Sequence, residues 1–231
     1  LIAGAGFWAY RSLNDFISRS EAFKISKIEI CGLENITKSE IAALLPFRVG
    51  DNTFKVWLSA AEKDLERSRP ELKKIRISRG WKSINVTLEE RKPSAYVVIN
   101  NQKLGVDADN KPFPLRGSWA EGTELKIPLI LCDDEQKRGK ALDFIKMIRP
   151  VDESTYKKIE SLNVESFDSV IVKLRDGYKI FWGAPEKNIF KIKLKKLFEI
   201  QEDSQKRFVK IEYINLNYFS DGRIVVKPLK Q

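Results

Sequence analysis

The sequence predicts an α+β protein of two domains: an N-terminal β-α-α-β-β domain over residues 21–93 and a mixed α/β domain with a largely antiparallel sheet over residues 94–231. Three observations predict it. Between Phe23 and Glu89 the apolar residues recur with a period of two, then of 3.6, then of two again, the mark of strand, helix, helix, strand, strand. The pattern changes after Pro93, whose fixed φ suits a rigid exit from one domain into the next. Beyond it, two runs that read as strands meet at Arg175-Asp176-Gly177, where Asp-Gly is fitted to a tight antiparallel hairpin.

Residues 1–20 read as the C-terminal end of a truncated transmembrane anchor followed by a juxtamembrane segment. Leu1 to Tyr10 carry no charge, and Arg11 interrupts the run. Ten residues fall short of the roughly 20 that span a bilayer. Small residues followed by Trp8 and Tyr10 nevertheless suit the aromatic belt at a membrane boundary. A signal-peptide remnant and an apolar segment packed on a core are the competing readings.

Phe23 to Cys31 alternates apolar and polar residues and stops at Gly32. Thr37-Lys38-Ser39-Glu40 is a capping box, with Thr37 at the N-cap and Glu40 at the third helical position. Ile41, Leu44 and Leu45 then share one helix face, which Pro46 closes. Val56 to Ser68 forms a second helix with Leu58, Ala61 and Leu65 on one side. Leu72–Arg79 and Ser83–Glu89 alternate around Gly80-Trp81 and make a hairpin.

In the second domain Ala95–Ile99 is an apolar strand. Asp107 and Asp109 hold alternate positions before Asn110 and raise calcium as a ligand. They lack the glycine and distal glutamate of an EF-hand loop, so they read as turn-formers. Lys126–Leu131 is a strand whose Pro128 points to a sheet margin. Arg138–Ile148 places Ala141, Leu142, Ile145 and Ile148 at helical spacing, and Lys158–Val164, Val170–Leu174 and Tyr178–Trp182 read as strands. A helix follows from Ala184 to about Gln201 with Phe190, Leu194 and Leu197 inward. Val209–Tyr218 alternates, turns at Ser220-Asp221-Gly222, and returns as Arg223–Lys227 before Pro228.

Composition narrows the function. With 42% hydrophobic residues in 231, the chain can bury a core without disulfide or metal staples. A net charge of +10 suits nucleic acid, anionic membrane or acidic protein partners. The basic residues are scattered, and the densest run, Lys191–Lys196, alternates with apolar residues as a solvated helix face does, so no nucleic-acid partner is assigned. There is no histidine, which removes the commonest general base and metal ligand. Cys31 and Cys132 are far apart and read as small apolar residues. No phosphate-binding glycine loop or nucleophile elbow occurs. The chain is read as non-catalytic, with no metal and no cofactor.

A β-α-α-β-β unit of this size resembles a POTRA domain, a polypeptide-docking module. Residues Arg79 to Ala95 resemble the signature of the FtsQ/DivIB cell-division family, which writes Arg-x-Trp-Pro, an alternating strand, then Glu-Arg-x-Pro-x-Ala. Here Trp81, Glu90, Arg91 and Pro93 carry the match, and Lys82 stands where the family usually has proline. Trp81 is expected to close the hairpin and cover its end. The block from Leu174 through Gly183 to Leu197 resembles the family's β domain. Near the end, Tyr213, Ile214, Leu216, Tyr218 and Gly222 keep the family phrase, while Asn215 and Asn217 replace its aspartate and arginine.

The resemblance implies an essential divisome scaffold, single-pass in the cytoplasmic membrane, with its bulk extracytoplasmic and at the septum. It implies recruitment of an FtsB/FtsL-like pair by β-addition to the C-terminal edge strand. The expected partner-binding residues are Tyr218, Ser220, Gly222, Arg223, Ile224, Val225, Val226 and Lys227, with Arg223 and Lys227 attracting acidic partner residues. FtsK-like or other early division proteins are expected at the POTRA domain. A terminal strand that merely completes the sheet is the competing reading at the C-terminus. A POTRA-containing polypeptide-transport or outer-membrane assembly module is the alternative for the whole chain.

Overall fold

A computed structural model describes residues 20–120, 126–165, 169–207 and 210–229. The described residues divide into two compact units. One comprises those within Leu1–Arg91 and Arg116–Glu121, the other those within Lys92–Leu115 and Gly122–Gln231. The membrane anchor and juxtamembrane segment expected from the sequence lie, up to residue 19, outside the described residues.

The first unit contains β1 (Lys27–Cys31), α1 (Lys38–Leu44), α2 (Leu58–Ser68), β2 (Leu72–Gly80) and β3 (Ser83–Glu90). The sheet order is β1-β3-β2, with β3 parallel to β1 and antiparallel to β2. β3 buries every second residue, Ile84, Val86, Leu88 and Glu90, as a half-covered strand must. Ile41 of α1 and Ala61 and Leu65 of α2 close over that face. The capping box forms as its sequence dictates: Glu40 N–H donates to Thr37 Oγ1 and Thr37 N–H to Glu40 Oε1.

The second unit contains β4 (Ala95–Ile99), β5 (Gln102–Val106), β6 (Pro112–Phe113), β7 (Leu129–Ile130), α3 (Glu135–Ile148), α4 (Glu153–Lys158), β8 (Ile159–Val164), β9 (Val170–Leu174), β10 (Lys179–Gly183), α5 (Lys187–Lys206), β11 (Ile211–Asn215) and β12 (Val225–Pro228). They form one sheet in the order β12-β11-β10-β9-β8-β7-β4-β5-β6. Neighbours joined by short turns pair antiparallel. The parallel pairs β7–β8 and β10–β11 are bridged by helical crossovers, as parallel strands require. Phe144, Trp182 and Phe190 pack edge to face and tilted, with centroids 4.8–5.6 Å apart, at the centre of this core.

Two local expectations are corrected. Pro128 does not mark a sheet margin, because β7 lies inside the sheet between β4 and β8. The proline precedes the two-residue strand, and its carbonyl accepts Tyr96 N–H at 2.8 Å, so its missing donor costs nothing. The strand expected from Lys158 begins at Ile159, after a short helix capped by Asp152, whose Oδ1 accepts Thr155 N–H at 3.0 Å. Asp107 is buried, and its Oδ1 accepts the N–H groups of Asp109 and Lys111, both at 2.9 Å, which holds the turn between β5 and β6.

Candidate functional site

Among the described residues β12 is the last strand of the nine-stranded sheet and pairs on one side, with β11. Leu229 N–H donates to Lys210 O at 2.8 Å. Ile211 faces Pro228, Tyr213 faces Lys227, Ile214 faces Val226 and Asn215 faces Val225. Glu212 and Tyr213 therefore both stand opposite Lys227, a β-bulge. In an antiparallel pair the N–H and C=O of one residue point to the same side, and that side alternates along the strand. Val225, Lys227 and Leu229 thus turn their backbone groups toward β11, and Val226 turns both of its own outward. Pro228 also faces outward, with a carbonyl and no N–H, the placement a sheet tolerates.

The turn that leads into this strand is built from polar side chains. Asn217 N–H donates to Asn215 Oδ1 at 2.9 Å, so the predicted strand stops at Asn215 and not at Tyr218. Asn217 Oδ1 accepts from Ser169 Oγ at 3.4 Å. A 3-10 turn over Phe219–Asp221 ends at Gly222, which takes φ +74°. Tyr218, Ser220, Gly222 and Arg223 are exposed, Ile224 is half-buried against the core, and Val225 and Val226 are 46% and 40% exposed. The charges expected to meet a partner already have neighbours. Lys227 Nζ lies 2.9 Å from Glu212 Oε2 and over the Tyr213 ring, and its hydrogen bond to Glu212 holds the ammonium above its usual range. Arg223 lies 3.5 Å from Asp221 and over Tyr218.

Behind the turn, Lys193 of α5 is buried. Its Nζ donates to Trp182 O at 3.1 Å and stands 5.8 Å from the ring centres of both Trp182 and Phe219. Burial pushes its pKa down, and Glu186 opposes that shift. Beside the far end of β12 a groove of about 660 Å³ runs between Asp176–Tyr178, Phe198 and Gln201 of α5, and Lys210–Glu212 with Leu229. Phe198 and Leu229 are exposed apolar residues there. The sequence reading missed both. Phe198 follows the inward Leu197 but lies on the exposed side of the helix, and Leu229 follows the proline taken as the strand end.

The signature residues of the first unit have separate roles. Glu90 is 5% exposed, and its carboxylate accepts the backbone N–H groups of Glu34 (2.8 Å), Asn35 (2.9 Å) and Ile36 (3.0 Å). Arg91 Nε donates to Pro70 O at 3.0 Å, and its N–H to Glu71 O. Pro93, in the second unit, is buried and packs over Gly105. Trp81 does not cover the hairpin end: it is 84% exposed. Gly80 pairs with Ser83, leaving Trp81 and Lys82 as the two-residue loop, where Trp81 has no surface beneath it. Lys82 takes φ +54°, which the ring of a proline forbids, so the family proline could not occupy this turn as it stands.

Arg116–Ala120 joins the first unit, a return that a single boundary at Pro93 does not anticipate. Ser118 Oγ donates to Asn35 Oδ1 at 2.7 Å, on the same loop that Glu90 holds. Arg116 lies 3.4 Å from buried Glu71, which also meets Arg69 at 3.2 Å. Among the described residues no cluster of histidine, cysteine or carboxylate side chains could hold a metal ion, and no helix is long and apolar enough to cross a membrane. Cys31 and Cys132 are free thiols, one exposed and one buried.

Residues 23–91 match the POTRA domain of FtsQ type. The chain is 27% identical to the cell division protein FtsQ of a Geobacter species, over 99% of this chain and 84% of that one. It is 25% identical to the cell division protein FtsQ of Geotalea daltonii, over 97% and 82%. The cell division protein FtsQ of Streptomyces venezuelae is 20% identical over 84% of this chain and 71% of its own. Over β1–β3 the chain carries an FtsQ-type POTRA domain, followed by a mostly antiparallel sheet, and along nearly its whole length it is similar to cell division proteins named FtsQ.

Proposed function

We propose that this protein is a non-catalytic divisome scaffold, tethered by its N-terminal segment to the cytoplasmic membrane at the septum, that recruits an FtsB/FtsL-like pair by β-addition to β12. The observation that supports it is the outward N–H and C=O of Val226 on an end strand whose two valines are exposed. Unpaired main-chain groups on an edge are a hazard unless a partner strand uses them. Main-chain pairing supplies affinity, and flanking side chains supply register. Tyr218, half exposed beside the strand, is the anchoring aromatic. The POTRA domain docks earlier division proteins of FtsK-like kind.

The test is co-purification of the FtsB/FtsL pair with Val226→Pro and Tyr218→Ala. Val226→Pro removes an outward donor and leaves the β11 ladder intact, so at least tenfold weaker capture is expected with an unchanged unfolding midpoint. Capture undiminished in both variants removes β-addition at this edge. Depletion of the protein is expected to give filamentous cells, and normal division on depletion removes the divisome assignment.

A further inference from the structure

One end of the first unit is aromatic and basic. Trp81 in the β2–β3 turn is 84% exposed, and Trp57, which precedes α2, is 79% exposed. Phe54 and Val49 are 58% and 61% exposed on the loop between the two helices. Hydrogen bonds gather these segments at a single end. Arg79 donates to Thr53 O at 3.0 Å and to Val56 O at 2.6 Å, which ties the loop to the last turn of β2. Ser26 N–H donates to Lys82 O, Ile25 N–H to Asp51 O and Thr53 N–H to Phe23 O, all within 2.9 Å. Phe23 and Phe54 stack edge to face at 5.2 Å. Arg48 and Lys55 are exposed on the same loop, and Lys82 sits beside Trp81.

A soluble surface carries single apolar residues without consequence, but four large ones with two nearly free indoles form a patch that calls for an occupant. We infer that this end of the POTRA domain lies on the surface of an anionic phospholipid bilayer, with Trp57 and Trp81 at headgroup depth and Arg48, Lys55 and Lys82 on the lipid phosphates. Two observations favour lipid over a protein partner. Indole rings beside cations are the chemistry of the membrane interface. The chain also enters the unit at this end, at Ser20, and Leu1–Tyr10 of the preceding sequence are uncharged. Residues 11–19 extend at most about 30 Å, which keeps a tip attached to that apolar segment within reach of the bilayer holding it. The inference rests in that clause on the tethered reading above.

The five tryptophans make the two readings separable. The full chain, labelled with 5-fluorotryptophan and assigned by Trp→Phe substitution, is placed in bicelles of phosphatidylcholine and phosphatidylglycerol carrying a nitroxide headgroup. The fluorine signals of Trp57 and Trp81 are expected to broaden several-fold. Trp119 is expected to keep its width, because Ser118 beside it is bound to Asn35, at the end of the unit where β3 finishes. Trp8 reports the tether separately, and the shift of buried Trp182 reports that the chain is folded. Broadening of Trp57 and Trp81 that falls several-fold in the variant Arg48→Glu, Lys55→Glu, Lys82→Glu supports the inference. Unbroadened Trp57 and Trp81 overturn it, whatever Trp8 does. Shifts at Trp57 and Trp81 that follow protein concentration without lipid overturn it in favour of a second copy of this chain.

Discussion

Glu90 and Asn35 are 55 residues apart in the chain, and the Glu90 carboxylate accepts both the backbone N–H and the side-chain Nδ2 of Asn35. With Glu34 and Ile36 donating alongside, one buried side chain satisfies three consecutive backbone groups of the loop between β1 and α1. A loop of this kind has no ladder of its own to bond, and its buried N–H groups must find acceptors.

Glu90→Gln is therefore expected to destabilise the first unit by about 2–4 kcal/mol, because an amide offers one acceptor and turns two donors toward donors. The neighbour Glu89 gives the control. It lies on the opposite strand face, 46% exposed and 2.8 Å from Lys74. Glu89→Gln is expected to cost no more than about 1 kcal/mol, the range of an exposed ion pair. Urea unfolding of the two variants checks the contrast.

Two glycines with left-handed backbones predict a second contrast. Gly32 takes φ +88°, and a Cβ there would lie 1.9 Å from Leu88 O. Gly50 takes φ +99° with open space around it. Gly50→Ala carries the conformational penalty alone, about 1–2 kcal/mol. Gly32→Ala adds a backbone collision between the end of β1 and β3, and is expected to exceed about 4 kcal/mol, which marks a displaced strand. Thermal unfolding midpoints of the two variants decide it, and equal losses would mean that β1 shifts freely along β3.

Local signals were legible in the sequence where the chemistry is local. The Thr37–Glu40 box caps its helix, Gly177 takes φ +96° in the Asp-Gly turn, and Phe190, Leu194 and Leu197 are buried on one side of α5. What escaped depends on distant partners. Glu90 reads as a polar residue at a strand end until the loop it holds is brought to it. The strand within Lys126–Leu131 was legible, but its place inside the sheet was not, because its parallel neighbours β4 and β8 define that place. At the candidate site the run Arg223–Lys227 between the Ser220-Asp221-Gly222 turn and Pro228 located the strand, which spans Val225–Pro228. Which backbone groups face outward depends on the bulge at Glu212–Tyr213, and that bulge has no sequence period. Trp81 failed for a related reason: an aromatic in a turn is read as a cover, and only the fold shows whether anything lies beneath it.

Lys193 predicts a pH dependence of the second unit. Burial lowers its pKa in the fold from the ordinary 10.5, while the unfolded chain keeps the ordinary value. Between the depressed value and 10.5 the unfolded chain binds a proton that the fold has shed, so this group makes stability rise with pH across that window. Below the window both states are protonated, and the fold carries the whole desolvation penalty. Lys193→Met removes the penalty together with the hydrogen bond to Trp182 O. The bond is a constant loss, because the neutral amine also donates. The stability of Lys193→Met relative to the parent protein is therefore expected to be greatest near neutral pH and to fall steadily as pH approaches 10.5. Urea midpoints of the two proteins at a series of alkaline pH values check the slope. A difference that stays constant with pH would mean that the ammonium is hydrated in the fold, and that its position between Trp182 and Phe219 carries no electrostatic cost.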